Sequence, residues 1–154
     1  MAARVASAAE PRCLGSSVHI DQTLLAERHR VVLIRFGRRG DPQTAATDVL
    51  LHEIAHEVWL YCAIYSVDLD EVHDFTEGYE LYDPATIMCF YRNRPLQIDV
   101  GYGPDAKVTW PLPDGAVLAD AIIDAVHEPA ALPQSAVRRG LLGVFKEVVQ
   151  GLAV

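Results

Sequence analysis

The chain has 154 residues, 51% of them hydrophobic and 22% charged, with a formal net charge of −8. A chain of this size forms one domain that buries about 70% of the surface its unfolded form exposes, and its acidity excludes the electrostatic footprint of a protein that grips nucleic acid unaided. The longest apolar stretches, residues 31–34 and 60–67, are strand-sized and far short of the roughly 20 residues that cross a bilayer, so no membrane partner is expected.

Three cysteines, Cys13, Cys62 and Cys89, are odd in number and form no CxxC. They argue against a disulfide framework and a cysteine-based zinc ribbon, and fit a reducing compartment. Residues 1–16 are expected to be a disordered tail. The segment is Ala-rich with Arg4 and Arg12, but Glu10 is unusual in an organelle transit peptide, and no unbroken apolar run suits secretion.

Residues 21–30 read as a short helix with Asp21 as N-cap and Leu24 and Leu25 on its inner face. The β-branched run 31–36 follows as a strand. After the turn GRRGDP, Asp41 caps free amides and Pro42 suits the first helical position. That helix is expected over 43–58, with Val49, Leu50, Ile54 and Val58 at core spacing. Residues 61–68 form a second buried strand, whose parallel pairing with the first makes a βαβ unit. A short helical segment, 72–82, leads to Pro84. A third strand, 86–92, is reversed by the turn Asn93-Arg94-Pro95, and residues 96–103 return antiparallel. A helix over Gly115–His127, with Val117, Leu118, Ile122 and Val126 on one face, closes the unit. The order βαβαββα is that of a thioredoxin-like α/β domain, a mixed central sheet of about four strands flanked by helices.

The stretches IDQTLLAERHRVVLIRFG, IYSVDLDEVHDF, GYELYDPATIM and FYRNRPLQIDVGYG resemble the Dim/Dib family, the small thioredoxin-like subunit of the U5 particle and the U4/U6.U5 tri-snRNP. The register runs without gaps over 17–128, which bounds the expected domain. The extension 129–154 is looser, although Arg139-Gly140-Leu141 and Lys146-Glu147 resemble the family's tail. Val144, Val148 and Leu152 have helical spacing there. The resemblance implies a structural splicing factor in the nucleus, monomeric alone and without cofactor or catalytic residues. Its implied partners are the large central U5 scaffold and tri-snRNP bridging proteins, with RNA near it only inside the particle. A thioredoxin-fold adaptor outside the spliceosome is the broader alternative, since fold does not set function.

Thioredoxin chemistry needs a thiolate at a helix N-terminus and a resolving thiol three residues later. In this register those positions are Asp41 and Thr44, the buried acid falls at Arg35, and the cis-proline position falls at Thr86. The resemblance adds that a cysteine pair of some Dim-type proteins corresponds here to Thr44 and Ala85, so no disulfide switch can operate through them. Cys62 and Cys89 are expected to be inert core thiols.

His52-Glu53-Ile54-Ala55-His56 matches HExxH, in which two histidines one helical turn apart bind zinc and the glutamate serves as general base. A small zinc hydrolase is therefore an alternative reading. Against it stand the acidic Glu57 after the second histidine, the absence of an extended motif at Trp59 and Cys62, and the lack of a distinguished third ligand among Glu71, Glu77 and Glu80. Candidate partner contacts are Arg38 and Arg39, expected to gather with Arg35, Arg28, Arg30, Arg92 and Arg94 near one end of the domain, and Tyr79, Tyr82 and Asp83 in YELYDP.

Overall fold

The computed structural model describes residues 9–127. Its elements in chain order are β1 (Arg12–Cys13), α1 (Ser17–Ala26), β2 (Val31–Gly37), α2 (Pro42–Val58), β3 (Cys62–Asp68), α3 (Asp74–Gly78), β4 (Ala85–Tyr91), β5 (Arg94–Leu96), β6 (Ile98–Asp99), β7 (Pro104–Asp105), β8 (Lys107–Val108) and α4 (Gly115–His127). The helix expected on Val144, Val148 and Leu152, the tail-like residues from Arg139 to Glu147, and the side chain of Val126 lie outside the described residues.

The β-branched run VVLIRFG makes β2 the axis of the sheet, and every one of its residues is buried. It pairs in parallel with β3, from Val31↔Cys62 to Gly37↔Asp68, and antiparallel with β4, from Val32↔Phe90 to Gly37↔Ala85. The sheet order is β1-β3-β2-β4-β5, with β8 also paired to β4. Alternation along β2 splits the core into two layers. Val31 and Leu33 face Leu51, Ile54, Ala55 and Val58 of α2 and Leu118 and Ile122 of α4. Val32, Ile34 and Phe36 face Ile20 and Leu24 of α1, with Phe75 packed beside them.

The mixed sheet and flanking helices match the expected thioredoxin-like arrangement, and several details differ. Helix α1 starts earlier because the Ser16 side chain, rather than Asp21, accepts the capping bond from the His19 amide at 3.1 Å. Its inner face is then Ile20 and Leu24, one turn apart, and Leu25 is left 60% exposed. In α2 the buried stripe is Thr44, Leu51, Ile54, Ala55 and Val58; Leu50 is only half-buried and Val49 is 59% exposed. The hairpin turns on Arg92-Asn93, both with left-handed φ (49° and 63°), as a two-residue primed turn requires. Pro95 consequently sits within β5, opposite Phe90.

The return segment is broken rather than continuous. Asp99 Oδ1 accepts from the amides of Gly101 and Gly103 at 2.8 and 3.1 Å, curling the chain into a small β6–β7 hairpin before β8 rejoins β4. Helix α3 covers only five residues of the expected 72–82 segment. The end of the expected tail also enters the fold: Arg12 and Cys13 pair with Tyr65 and Ser66, and Leu14 is buried.

Replacing Leu24 with Ala should cost about 2–4 kcal/mol of unfolding free energy, as expected for a truncated core leucine. Leu25→Ala should cost less than about 0.5 kcal/mol. Urea unfolding of both variants distinguishes the observed face of α1 from one centred on Leu24 and Leu25.

Candidate functional site: the N-terminal end of α2

Asp41, at the first position of the lost dithiol, is an N-cap. Its Oδ1 accepts from the Thr44 amide at 2.9 Å, and Pro42 occupies the first helical turn. A helix amide of the kind that would lower a thiol pKa, that of Thr44, is thus engaged by a carboxylate of the same chain. Thr44, at the resolving position, donates its hydroxyl to the Pro84 carbonyl at 3.0 Å and is buried. A β-carbon on Gly37 would lie 2.5 Å from Thr44 Oγ1, so only glycine lets the helix approach the strand end this closely. Thr86, at the cis-proline position, follows a trans peptide bond and is buried, with its hydroxyl lacking a hydrogen-bond partner. Where some relatives are implied to carry a cysteine pair, this chain therefore has a hydrogen bond from α2 to the residue before β4.

Arg35, at the buried-acid position, is 9% exposed. A lone buried guanidinium would be prohibitive, and Asp48 on α2 meets it with two bonds, Nε–Oδ1 at 2.7 Å and Nη2–Oδ2 at 2.9 Å. The Val67 carbonyl accepts a further, longer bond at 3.4 Å. Arg35 is therefore the positive half of a fixed pair.

The arginines do not gather at one end. β2 advances about 3.3 Å per residue, which separates Arg30 from Arg38 by over 20 Å, and antiparallel β4 returns Arg92 and Arg94 to the Arg30 end. Arg38 and Arg39 are met by carboxylates: Arg38 by Asp70 at 3.1 Å, Arg39 by Asp68 and Glu71 at 3.6 and 3.7 Å. They border an open cleft of about 390 Å³ in which Arg35, Arg38 and Arg39 face Asp41, Asp48 and Asp68. Opposite charges in equal number give this cleft no general preference for an anion. Cys13 is its only lining thiol, and exchange chemistry needs a pair.

The tyrosines of YELYDP also separate. Tyr79 stacks on Phe75 with centroids 5.6 Å apart and tilts against Phe90, so it belongs to the core, where burial raises its pKa. Tyr82 is 67% exposed and Asp83 is exposed, which leaves them as the accessible pair. Lys107 fastens this loop, donating to the Tyr79 and Glu80 carbonyls at 3.1 and 3.2 Å.

His52, Glu53 and His56 lie on the exposed face of α2. Among the described residues no three His, Cys, Asp or Glu side chains group as metal ligands. Among the described residues the HExxH spacing thus has no third ligand grouped with it, and its side chains stand on an exposed helix face. Cys62 and Cys89 are buried, and burial pushes the Cys62 thiol up to about 12 and the Cys89 thiol well above its ordinary range.

Asp48, Asp68, Asp70 and Lys107 are not singled out by the sequence, and Glu71 enters there only as a candidate third zinc ligand. Asp48 had a readable signal: it falls on the stripe Thr44, Asp48, Leu51, Ala55, Val58, where a charge demands a partner. The Lys107 bonds span 27 and 28 positions and leave no local pattern.

A family model described as mitosis protein DIM1 matches residues 12–138. The chain is 48% identical over 109 residues to the mitosis protein dim1 of Schizosaccharomyces pombe, covering 71% of this chain and 77% of the relative. It is 42% identical over 104 residues to the spliceosomal protein DIB1 of Saccharomyces cerevisiae, covering 68% and 73%. Among solved structures, a mutant thioredoxin from Halobacterium salinarum NRC-1 superposes with a TM-score of 0.61 at 17% identity, covering 75% of this chain and 90% of that one. This last likeness concerns the fold alone.

Asp48→Ala should lower stability by about 2–3 kcal/mol, somewhat below the 3–5 of a fully buried pair because the Asp48 side chain is 38% exposed. The double change to Arg35→Leu and Asp48→Leu should recover most of that loss, measured by urea unfolding. In native protein a thiol reagent should titrate Cys13 rapidly at pH 7–8 and reach Cys62 and Cys89 only on unfolding. Because burial raises the folded-state pKa of both inner thiols, their contribution to stability is complete below the ordinary thiol range and fades as pH rises through it.

Proposed function

Because this chain belongs to the DIM1 family, we propose that it is a structural subunit of the spliceosome that works through protein contacts rather than catalysis. The observation that carries this reading is the 42% identity to a protein named as spliceosomal, over more than two thirds of each chain. The geometry is consistent with it. Both dithiol positions hold side chains committed to fastening α2: Asp41 to its own helix amides and Thr44 to the Pro84 carbonyl. The proton-transfer position holds Arg35 locked to Asp48. Such an end is a rigid surface for docking.

At finer detail, the proposed setting is the nuclear U5 snRNP and the U4/U6.U5 tri-snRNP before activation. The large U5 scaffold and bridging proteins are its direct partners there. Tyr82 and Asp83, exposed beside the capped helix end, are its proposed contacts. Opposite pairing leaves Arg38 and Arg39 as geometric parts of that surface rather than free cations.

A C-terminally tagged copy, affinity-purified from nuclear extract of the native organism, should bring down U4, U5 and U6 RNAs with the large U5 scaffold. Recovery of none of these, from extract in which the particles are intact, overturns the assignment. An insulin-reduction assay on the same protein should show no turnover above a thiol-only control, and thioredoxin-like turnover would contradict the non-catalytic reading.

A further inference from the structure

The opposite end of the sheet from the capped helix carries charge of a different kind. The α1–β2 connection supplies Arg28, His29 and Arg30, the β4–β5 turn supplies Arg92, and Arg94 opens β5. The two loops are joined, since Arg92 Nε donates to the Arg28 carbonyl at 3.2 Å. Arg92 is further held with its guanidinium carbon 5.2 Å from the centroid of the Tyr91 ring. Among the described residues Glu27 is the one carboxylate bonded into this group, and Arg30 takes it at 2.8 Å. Arg28, Arg92 and Arg94 have no carboxylate within ion-pair distance among the described residues, and Arg94 Nε is buried without any acceptor.

This differs in kind from the other end, where Arg35, Arg38 and Arg39 are each paired. In a protein of net charge −8, two joined loops whose Arg28, Arg92 and Arg94 meet no carboxylate among the described residues concentrate positive potential at one end of the sheet. The tip is a tight primed hairpin turn, its central residues at φ 49° and 63°, and so its guanidiniums are presented on a stiff projection rather than in a groove that would seat an extended peptide. Arginine's planar fork matches phosphate oxygens in two-bond geometry.

We infer that this tip, formed by Arg28, Arg92 and Arg94, is a docking surface for the phosphate backbone of RNA, read by charge and not by base. The inference rests on the spliceosomal reading for the source of the RNA. Residues at the opposite end remain available to proteins, so the two ends of the sheet divide the contacts.

The test uses the full-length protein and a labelled single-stranded RNA of about a dozen nucleotides, titrated between about 50 and 200 mM salt. Three phosphate contacts predict a slope of log affinity against log salt of about −2, from roughly 0.7 per contact on a single strand. Arg28→Gln with Arg92→Asn, the latter suited to a left-handed turn position, should weaken binding at least about tenfold and flatten the slope to about −0.7. Arg38→Gln with Arg39→Gln should change it less than about twofold, because those cations are already paired. No binding by the parent protein at the lowest salt, or binding indifferent to the Arg28 and Arg92 changes, overturns the inference. Equal binding of a polyglutamate peptide with the same variant sensitivity assigns the tip to an acidic protein segment instead. No particle is present in this assay, so its failure is separable from failure of the affinity purification.

Discussion

The strand at the centre of this domain is buried along its whole length and yet contains an arginine. Arg35 lies on the face of β2 that α2 covers, flanked across the sheet by Ser66 and Ile87. Burying a guanidinium without a counter-charge costs several kcal/mol, comparable to a large share of a small domain's stability. The chain meets that cost with a carboxylate on the covering helix. Asp48 holds Arg35 by two bonds, and this fixes both the rotation of α2 and its slide along the strand. With the helix so placed, Thr44 falls over Gly37 and reaches the Pro84 carbonyl, and Asp41 falls at the amides it caps. The same register brings Gly115, at the start of α4, against Ile54.

Much of this was legible in the residues. A β-branched run announces β2, Asp41-Pro42 announces the start of α2, and the non-cysteine positions at the helix end already exclude dithiol exchange. The start of α1 was not, because Ser16 and Asp21 are both good caps and the pair Leu24, Leu25 suggests an inner face that the Ile20, Leu24 spacing supersedes. Residues 96–103 alternate well enough to read as one strand. What breaks them is the side chain of Asp99 reaching the amides of Gly101 and Gly103, a local bond that competes with the ladder. The short strand Arg12–Cys13 depends on an open edge of β3, which composition alone does not reveal.

The positions of the ion pairs were the least legible feature and the most informative one. Seven arginines look alike in sequence as a basic set, but β2 carries Arg30 and Arg38 to opposite ends. At one end the connection after β3 supplies Asp68, Asp70 and Glu71 opposite Arg38 and Arg39. At the other, Glu27 alone among the described residues is bonded to the group. Net charge therefore describes this molecule poorly, because topology sorts its cations into a paired set and an unpaired one.

That sorting also bears on what a thioredoxin-like domain offers when its helix end carries no dithiol. In a redox enzyme the helix end must stay reactive, which requires amides free to stabilise a thiolate and a buried acid free to titrate. Here each of those freedoms is removed by a bond within the chain, and the end becomes rigid. Rigid ends suit permanent contacts, since little side-chain entropy remains to be lost on docking. The scaffold's value then lies in its central sheet, which holds two loop clusters of different electrostatic character over 20 Å apart and keeps their separation constant. A particle assembled from protein and RNA can use such a spacer without asking it to catalyse anything.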